Sequence, residues 1–185
     1  MIEVMTDIER LRGVALRQQG VIARKQALEA GVSSESLRQL TFRGRIERVS
    51  QGVYRVPQAP VTAATPLQIA ILWTGREEAA LGFQTALFAY GLYEEEPSKV
   101  HIIVPANARI RRSEGDGYVL HRIDIPEDDL CSWKGMRITK PLRTLQDCLA
   151  EGSPATVLVH AAMRAAKKGL IAPDDVDVLA TQLNL

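Results

Sequence analysis

The chain has 185 residues, of which 46% are hydrophobic and 24% charged, and its formal net charge is +1. This composition fits a globular protein of one domain or two small ones and argues against an intrinsically disordered chain. No apolar run reaches the roughly 18 residues that a membrane span needs, and the acidic start lacks the pattern of a signal peptide. We therefore expect a cytoplasmic protein that has no membrane partner.

The charge is divided unevenly along the chain. Residues 1–60 hold 10 Lys and Arg against 6 Asp and Glu, a net charge of +4, whereas residues 61–185 hold 13 against 16, a net charge of −3. We expect the two parts to have different partners, with nucleic acid suited to the basic one. Because a net charge of +4 is modest, DNA binding would depend on salt through a handful of phosphate contacts.

The first part of the chain opens with helical patterns. Thr6 and Glu9 have the spacing of a capping box, which predicts a first helix that Gly20 closes. The run VIAR predicts a brief extended step, and the run RKQALEAG predicts a second, short helix. These elements are close together in sequence, so the turns between them must be tight.

The third helix is polar on one side. Ser33 or Ser34 can cap it, and Leu37 and Leu40 are spaced so that both face inward. After Gly44 the periodicity becomes that of strands, since the runs RIERV and VYRV flank the turn SQG. Three helices followed by a β-hairpin predict a winged helix-turn-helix domain, whose third helix would enter the major groove of double-stranded DNA.

The outward polar side chains of this predicted domain are the candidate DNA contacts. On the third helix we assign groove contacts to three residues and phosphate contacts to two serines, and we assign backbone or minor-groove contacts to the wing. The DNA-binding candidates are Ser34, Ser36, Arg38, Gln39, Arg43, Arg45, Arg48, Gln51 and Arg55. The alternative is that the polar faces are simply solvated, or that the winged helix docks to another protein.

The uncharged, proline-containing run QAPVTAATP predicts a linker, so we place a boundary between a domain of residues 1–60 and a domain of residues 61–185. The second domain is predicted to be a small α+β domain. Its predicted strands are VHIIVP and YVLHRI, which we expect to pair around a loop, and MRIT, after which Thr139 would cap a helix. Its predicted helices span residues 66–74, 83–91, 141–149, 155–168 and 173–182.

The second domain contains no recognisable catalytic, cofactor or metal motif. The chain has two cysteines in no C-x-x-C pair and three histidines that lie far apart in sequence. His121 alternates with apolar neighbours, and nothing in the sequence suggests an orienting carboxylate beside it. Arg143 and Asp147 are four residues apart on a predicted helix, where an ion pair on the helix surface is the default interpretation. We therefore predict no enzyme, no cofactor and no metal.

The run GVIARKQALEAGVSSESLRQLTFRGRIERVSQGVYRV, from Gly20 to Val56, resembles the opening domain of the AbiEi-type antitoxins of type IV toxin–antitoxin systems. The later segments TALFAYGL, HIIVP and ITKPLRTLQDCL resemble that family more loosely. The resemblance implies a winged helix that represses its own operon and a C-terminal domain that neutralises a nucleotidyltransferase-like toxin, directly or indirectly. It also implies Arg143, Thr144 and Asp147 as candidate residues of the antitoxin domain.

Two other functions stay open. One is a winged-helix transcriptional regulator that responds to a small ligand and has no toxin partner. The other is an enzyme, because related proteins with the same opening domain continue into a PD-(D/E)xK nuclease. In this chain the run APDDVDVL is not followed by the E-x-K that would complete the metal site of such a nuclease.

Overall fold

A computed structural model describes residues 5–110 and 117–182 of the chain. Residues 111–116, which belong to the predicted loop between the strands VHIIVP and YVLHRI, lie outside the described part. The described residues form two compact units. Unit 1 comprises residues 5–77, 109 and 110, and unit 2 comprises residues 78–108 and 117–182. Helices and strands occur in both units, so the predicted α+β class is confirmed.

Unit 1 contains the predicted three helices and hairpin. Its elements in chain order are α1 (Asp7–Ala15), β1 (Val21–Ala23), α2 (Arg24–Glu29), α3 (Ser34–Phe42), β2 (Glu47–Ser50), β3 (Val53–Arg55) and α4 (Thr65–Thr74). α1 ends earlier than the sequence predicted, because residues 16–20 form turns before the chain enters β1. The winged helix-turn-helix prediction is confirmed.

Side-chain caps determine where two of these helices begin. The backbone N–H of Thr6 donates to Glu9 Oε2 at 2.6 Å, and the backbone N–H of Glu9 donates to Thr6 Oγ1 at 3.4 Å, so the predicted capping box is formed. Ser33 caps α3, since its Oγ accepts from the backbone N–H of Ser36 at 3.0 Å. Each cap provides partners for backbone groups that the first turn of a helix leaves unpaired.

The sheet of unit 1 has the strand order β1-β3-β2, and both pairings are antiparallel. The pair β2–β3 is the predicted hairpin, and β1 joins it as a third strand. Leu11, Ile22, Leu37 and Ile46 are fully buried between the first three helices and this sheet. Burying a side chain of this size contributes about 1.5–3 kcal/mol, so these four positions hold the recognition helix in place.

Helix α4 also packs within unit 1. It contacts all three strands of the sheet, and Thr65 Oγ1 donates to the backbone carbonyl of Gln19 at 3.2 Å. From the linker composition we predicted that this helix belongs to the second domain. In the structure its contacts are with the sheet of the winged helix. The division into a DNA-binding domain of residues 1–60 and an antitoxin domain of residues 61–185 concerns function and stays a prediction.

Unit 2 combines a sheet with four helices. Its elements are β4 (Ala80–Leu81), α5 (Phe83–Ala89), β5 (Val100–Val104), β6 (Tyr118–Arg122), a 3-10 turn (Glu127–Asp129), β7 (Leu130–Trp133), β8 (Met136–Thr139), α6 (Pro141–Ala150), α7 (Ala155–Lys167) and α8 (Pro173–Gln182). The predicted helices lie within two residues of these bounds. The sequence missed β4 and β7. β4 has two residues, too few for an alternating pattern, and the residues of β7, LCSW, do not alternate regularly between apolar and polar.

The sheet of unit 2 has the strand order β6-β5-β4-β8-β7. β5 and β6 pair as predicted, and they run parallel. β4 pairs antiparallel with β5 and parallel with β8, and β7 and β8 form an antiparallel hairpin. The predicted third strand, β8, is thus separated from β5 by a strand that the sequence pattern did not reveal.

The start of α6 differs from the prediction. Lys140 occupies the N-cap, and Thr139 is fully buried with its hydroxyl 2.7 Å from Thr144 Oγ1. The apolar faces of α5 to α8 pack into one core against the sheet.

Within residues 5–110 and 117–182, no helix is long and apolar enough to cross a membrane.

Candidate nucleic-acid interface

Helix α3 occupies the recognition position of the helix-turn-helix in unit 1. Leu37 is buried and Leu40 packs partly buried beside it, which turns the opposite side of the helix outward. The three predicted groove contacts, Arg38, Gln39 and Arg43, are all exposed on that outward side or at its end. Their placement is that of side chains able to reach base edges in a major groove.

Glu35 binds two of these three side chains. Arg38 Nε and Nη2 donate to the Glu35 carboxylate at 2.9 and 2.7 Å, and Gln39 Nε2 donates to it at 3.1 Å. These hydrogen bonds, that of Arg38 first, lower the pKa of Glu35 to about 2, so the carboxylate is ionised at neutral pH. Arg38 and Gln39 are therefore held along the helix, and Glu35 cancels part of the positive charge of Arg38.

The two serines predicted to contact phosphate lie in the first turn of α3. Arg24 Nη2 donates to Ser34 Oγ at 2.9 Å, and Ser33 Oγ donates to Ser36 Oγ at 3.1 Å. Arg24 is not among the DNA contacts predicted from the sequence. It is the first residue of α2, and its guanidinium brings a positive charge beside the first turn of α3. A basic residue at the start of the second helix was the clue that the sequence offered.

The register of the wing divides its predicted contacts between two faces. Arg48 is paired with Tyr54, which packs on the core beneath the first three helices. Arg55 is paired with Val21 and with Glu47, and it forms an ion pair with Glu47. Paired residues in a sheet share a face. Arg48 therefore lies on the face that packs against the first three helices, whereas Arg55 lies on the opposite face. Arg48 is thus the stronger of the two candidates.

Beyond Arg38, which is bound to Glu35, three of the predicted DNA contacts are exposed arginines. Arg43 follows the last residue of α3, Arg45 follows Gly44, and Arg48 lies in β2. Within the part of the chain that the structure describes, none of the three guanidinium groups forms a hydrogen bond or an ion pair. Gln51, at the tip of the wing, is exposed as well. The unpaired charges available for phosphates therefore lie where α3 ends and the wing begins.

Phe42 is a further candidate that the sequence analysis missed. It is the last residue of α3, and 91% of its surface is exposed. An aromatic ring so exposed next to an arginine can pack on a thymine methyl group in a major groove. The helical spacing in the sequence could have identified it. Phe42 does not fall on the face of the helix that Leu37 and Leu40 turn inward, so an exposed aromatic ring was to be expected there.

The three antitoxin-domain candidates lie on α6 and make internal contacts. Arg143 Nε donates to Asp147 Oδ1 and Arg143 Nη1 donates to Asp129 Oδ2, both at 2.8 Å. Thr144 is fully buried against Thr139. Burial raises the pKa of Asp147, and the hydrogen bond from Arg143 opposes this rise. These side chains hold α6 in place, so any effect they have on a partner would act through the shape of unit 2.

The structure also brings together residues that the sequence analysis treated as unrelated. His101 Nδ1 and His121 Nε2 are 2.9 Å apart, and Glu151 Oε1 is 3.9 Å from His121 Nε2. No carboxylate beside His121 was indicated by the sequence pattern, but the C-terminal end of α6 brings Glu151 next to it. Burial lowers the pKa of both histidines and Glu151 acts in the opposite direction, so both rings are neutral at pH 7.

Comparison with known families supports the resemblance drawn from the motifs. Residues 9–57 match the model of a family described as transcriptional regulator, AbiEi antitoxin. The matched segment contains α2, α3 and the wing and most of α1, so the similarity to AbiEi-type antitoxins is confirmed for the winged helix. Among curated proteins, none matches this chain.

A solved structure shares the fold over a longer stretch. The chain is similar to the RV2827C protein from Mycobacterium tuberculosis, known from a crystal structure, with a TM-score of 0.53 and 16% sequence identity. The similarity covers 97% of this chain and 72% of that chain. At this level of identity it concerns the fold alone, and it extends beyond the segment that matches the antitoxin family.

Proposed function

We propose that the chain is a cytoplasmic, DNA-binding autorepressor and the antitoxin of a type IV toxin–antitoxin operon, without enzymatic activity. The DNA-binding half rests on one observation, the exposed and unpaired arginines where α3 ends and the wing begins, Arg43, Arg45 and Arg48. The match of residues 9–57 to antitoxin transcriptional regulators supports the same interpretation.

The proposed repression works by occupancy of the operator. α3 lies in a major groove, where an arginine can bind guanine through two hydrogen bonds and a glutamine can bind adenine in the same way. Arg38 and Gln39 would exchange Glu35 for such base edges, Arg43 would reach into the same groove, and Arg45 and Arg48 would contact the DNA backbone from the wing. An operator with inverted half-sites would take two copies of the chain, one on each half-site.

The first experiment measures fluorescence anisotropy of the full chain with its own upstream DNA and with a scrambled duplex of equal length, over a salt series. We expect binding to both duplexes to weaken as salt rises, with the upstream DNA bound roughly a thousandfold more tightly. Equal and weak binding to both duplexes would overturn the operator-binding half of the proposal and leave protein docking as the interpretation of the winged helix.

Two variants then test the predicted contacts. If Arg43 and Arg48 bind phosphates, Arg43→Ala and Arg48→Ala should weaken binding to both duplexes alike and lower the salt slope by about 1 each. If either reads a base, its loss should cost about 1–3 kcal/mol on the upstream DNA alone. Arg17→Ala is the matched control, because it removes one exposed arginine from the turn after α1. Unchanged affinity in both test variants would contradict the assignment of this surface.

The antitoxin half needs a separate experiment. The full chain is co-expressed with the product of the adjacent reading frame, which the proposal takes to be a nucleotidyltransferase-like toxin, and growth is expected to be rescued. Rescue with co-purification would mean direct neutralisation, rescue without it would mean indirect neutralisation, and no rescue would overturn this half.

Arg143→Ala tests the candidate segment of α6, with Arg164→Ala as the control, since Arg164 lies on α7 and forms an exposed ion pair with Glu94. The amount of soluble protein is measured in each strain, because Arg143 also holds α6 in place. Loss of rescue by Arg143→Ala at an unchanged soluble level would support a role for Arg143, Thr144 and Asp147 in neutralisation. Rescue equal to that of the control would remove this segment from the proposal.

A ligand-responsive regulator without a toxin partner is the second candidate function. The observation that favours it is the cluster of His101, His121 and Glu151 in unit 2, which places polar side chains at the edge of an apolar core. Loss of operator binding in the presence of a small ligand, together with no toxin gene in the adjacent reading frame, would support this candidate over the antitoxin.

A further inference from the structure

Two neighbouring strands of unit 2 carry histidines on the same face of the sheet. β5 and β6 run parallel, with His101 opposite Val119 and Ile103 opposite His121. Side chains two residues apart on a strand share a face, so the two histidines lie diagonally across the strand pair. Their facing atoms, His101 Nδ1 and His121 Nε2, are 2.9 Å apart. The register of the sheet therefore presents two imidazole nitrogens to one point.

A carboxylate completes this group of atoms. Glu151 occupies the C-cap of α6, and its Oε1 is 3.9 Å from His121 Nε2. The other oxygen, Oε2, accepts from Gln84 Nε2 at 3.2 Å, and Gln84 Nε2 also lies 3.3 Å from Ser153 Oγ. One donor atom from each of the two histidines and Glu151 lies within 4.8 Å of the others. Two histidines can form a hydrogen bond with each other without a carboxylate beside them. That hydrogen bond therefore does not account for the position of Glu151.

The wall of the site is rigid. Phe83 stacks on the ring of His121, with ring centroids 3.6 Å apart and planes inclined by 16°. Phe83 is buried and has a φ of 53°, a left-handed conformation that a bulky residue rarely adopts. Such a conformation persists only where the surroundings enforce it. The His121 ring is thereby fixed in orientation before any ligand binds.

We propose that His101, His121 and Glu151 form a binding site for one divalent transition-metal ion, with Zn²⁺ the best match. Two imidazole nitrogens and one carboxylate oxygen are a ligand set that Zn²⁺ accepts, and three protein ligands leave a fourth position for water or another ligand. Mg²⁺ and Ca²⁺ fit poorly, because both ions prefer a shell of oxygen atoms. The proposal concerns unit 2 alone and does not depend on DNA binding or on a toxin.

The distances need only small adjustments. Zinc bonds of about 2.0–2.1 Å in a tetrahedral arrangement place ligand atoms roughly 3.3 Å apart. The histidine nitrogens, now 2.9 Å apart, would separate slightly, and Glu151 Oε1 would approach His121 from 3.9 Å. The Glu151 side chain is one-third exposed, so it can make most of this movement. Gln84 would keep the carboxylate oriented, as residues that contact metal ligands commonly do.

The consequence of binding would be a link between separate parts of unit 2. The ion would join β5, β6 and the C-terminal end of α6, which are far apart in sequence. Because the unfolded chain does not hold these three side chains together, metal binding should stabilise the folded state. A shift of the thermal midpoint on addition of Zn²⁺ is thus a direct readout of the site.

The test uses the full chain at pH 7.5 and titrates it with Zn²⁺ in isothermal calorimetry. Co²⁺ is then substituted, and its visible absorption reports tetrahedral coordination. We expect one Zn²⁺ per chain, a raised thermal midpoint, and affinity at least about tenfold lower in His121→Asn and Glu151→Gln. His160→Asn is the control, since His160 is exposed on α7 and should leave affinity unchanged.

Glu151→Gln tests the site even if a histidine variant fails to fold. Glu151 is a surface residue, and glutamine can still accept from Gln84, so this variant should unfold in urea with EDTA at the wild-type midpoint. Absence of detectable Zn²⁺ binding by the wild type in calorimetry would overturn the proposal. Wild-type affinity in Glu151→Gln, or loss of binding in His160→Asn, would also overturn it.

Discussion

Arg38 donates two hydrogen bonds to Glu35, one turn earlier on the recognition helix, at 2.9 and 2.7 Å. The pair lies on the outward side of α3, where a DNA backbone or base edges would approach. Glu35 therefore has two effects. It holds the Arg38 guanidinium in one geometry, and it places a negative charge close to where phosphates would bind.

Replacing Glu35 by glutamine should strengthen DNA binding and reduce its selectivity. Glu35→Gln removes a charge that repels phosphate, so affinity for both the upstream DNA and a scrambled duplex should rise, by about threefold to tenfold at low salt. The scrambled duplex should gain more, because Arg38 is then free to bind any phosphate. Fluorescence anisotropy at two salt concentrations measures both effects. Glu29→Gln, which alters an exposed acid of α2, is the control, and an equal gain in that variant would contradict a specific role for Glu35.

Thr144→Val should destabilise unit 2 although it conserves shape. The Thr144 hydroxyl contacts Thr139 Oγ1 at 2.7 Å and also lies within hydrogen-bond distance of the Thr139 and Lys140 carbonyls. Valine would leave the buried Thr139 hydroxyl without this partner, at a cost of about 1–3 kcal/mol in the free energy of unfolding. Urea unfolding measures the difference. Thr156→Val, on an exposed position of α7, should stay within about 0.5 kcal/mol of wild type.

Gly82→Ala should destabilise the protein through a clash. A Cβ at this position would lie 2.4 Å from Ile103 Cδ1 and 2.9 Å from Ile103 Cγ1, inside the core of unit 2. We expect a loss of about 1–3 kcal/mol in the free energy of unfolding. In a double-mutant cycle, Ile103→Val removes Cδ1 and should recover part of this loss. Additive effects of the two substitutions would show that the clash is relieved elsewhere.

Gly13→Ala is the matched substitution with the opposite expectation. Gly13 lies within α1, and a Cβ there would meet no atom within 4 Å. Alanine has a higher helix propensity than glycine, so this variant should gain about 0.5–1 kcal/mol in stability. A loss of stability in both variants would mean that the glycine effect is not steric.

The two cysteines should differ in reactivity. Cys148 is fully buried, and burial, reinforced by the nearby Glu151 and Asp147 charges, raises the pKa of its thiol to about 12. Since the thiolate is the reactive form, only about one Cys148 in ten thousand would be ionised at pH 8. Iodoacetamide should therefore label the half-buried Cys131 first in the native protein. Mass spectrometry between pH 7 and pH 9 tests this, and both residues should react in urea.

The sequence by itself determined most of the elements, because they depend on neighbouring residues. The Thr6–Glu9 capping box and the Ser-capped recognition helix were predicted from spacing within one helical turn, and the structure confirms both. The hairpin around the SQG turn was predicted from alternation on either side of it. Such signals arise from capping, periodicity and turn chemistry, which act over a few residues and need no knowledge of the packed core.

Only the tertiary structure decided how distant segments meet. His101 and His121 come together because β5 and β6 are parallel in a register that places Ile103 beside His121, and no local pattern specifies that register. The packing of α4 on the winged helix likewise depends on contacts between separate elements. Glu151 reaches the histidines because the C-terminal end of α6 brings its carboxylate to within 3.9 Å of His121 Nε2. Side chains that meet through strand register and helix packing cannot be predicted from periodicity, since the residues between them in sequence do not depend on the contact.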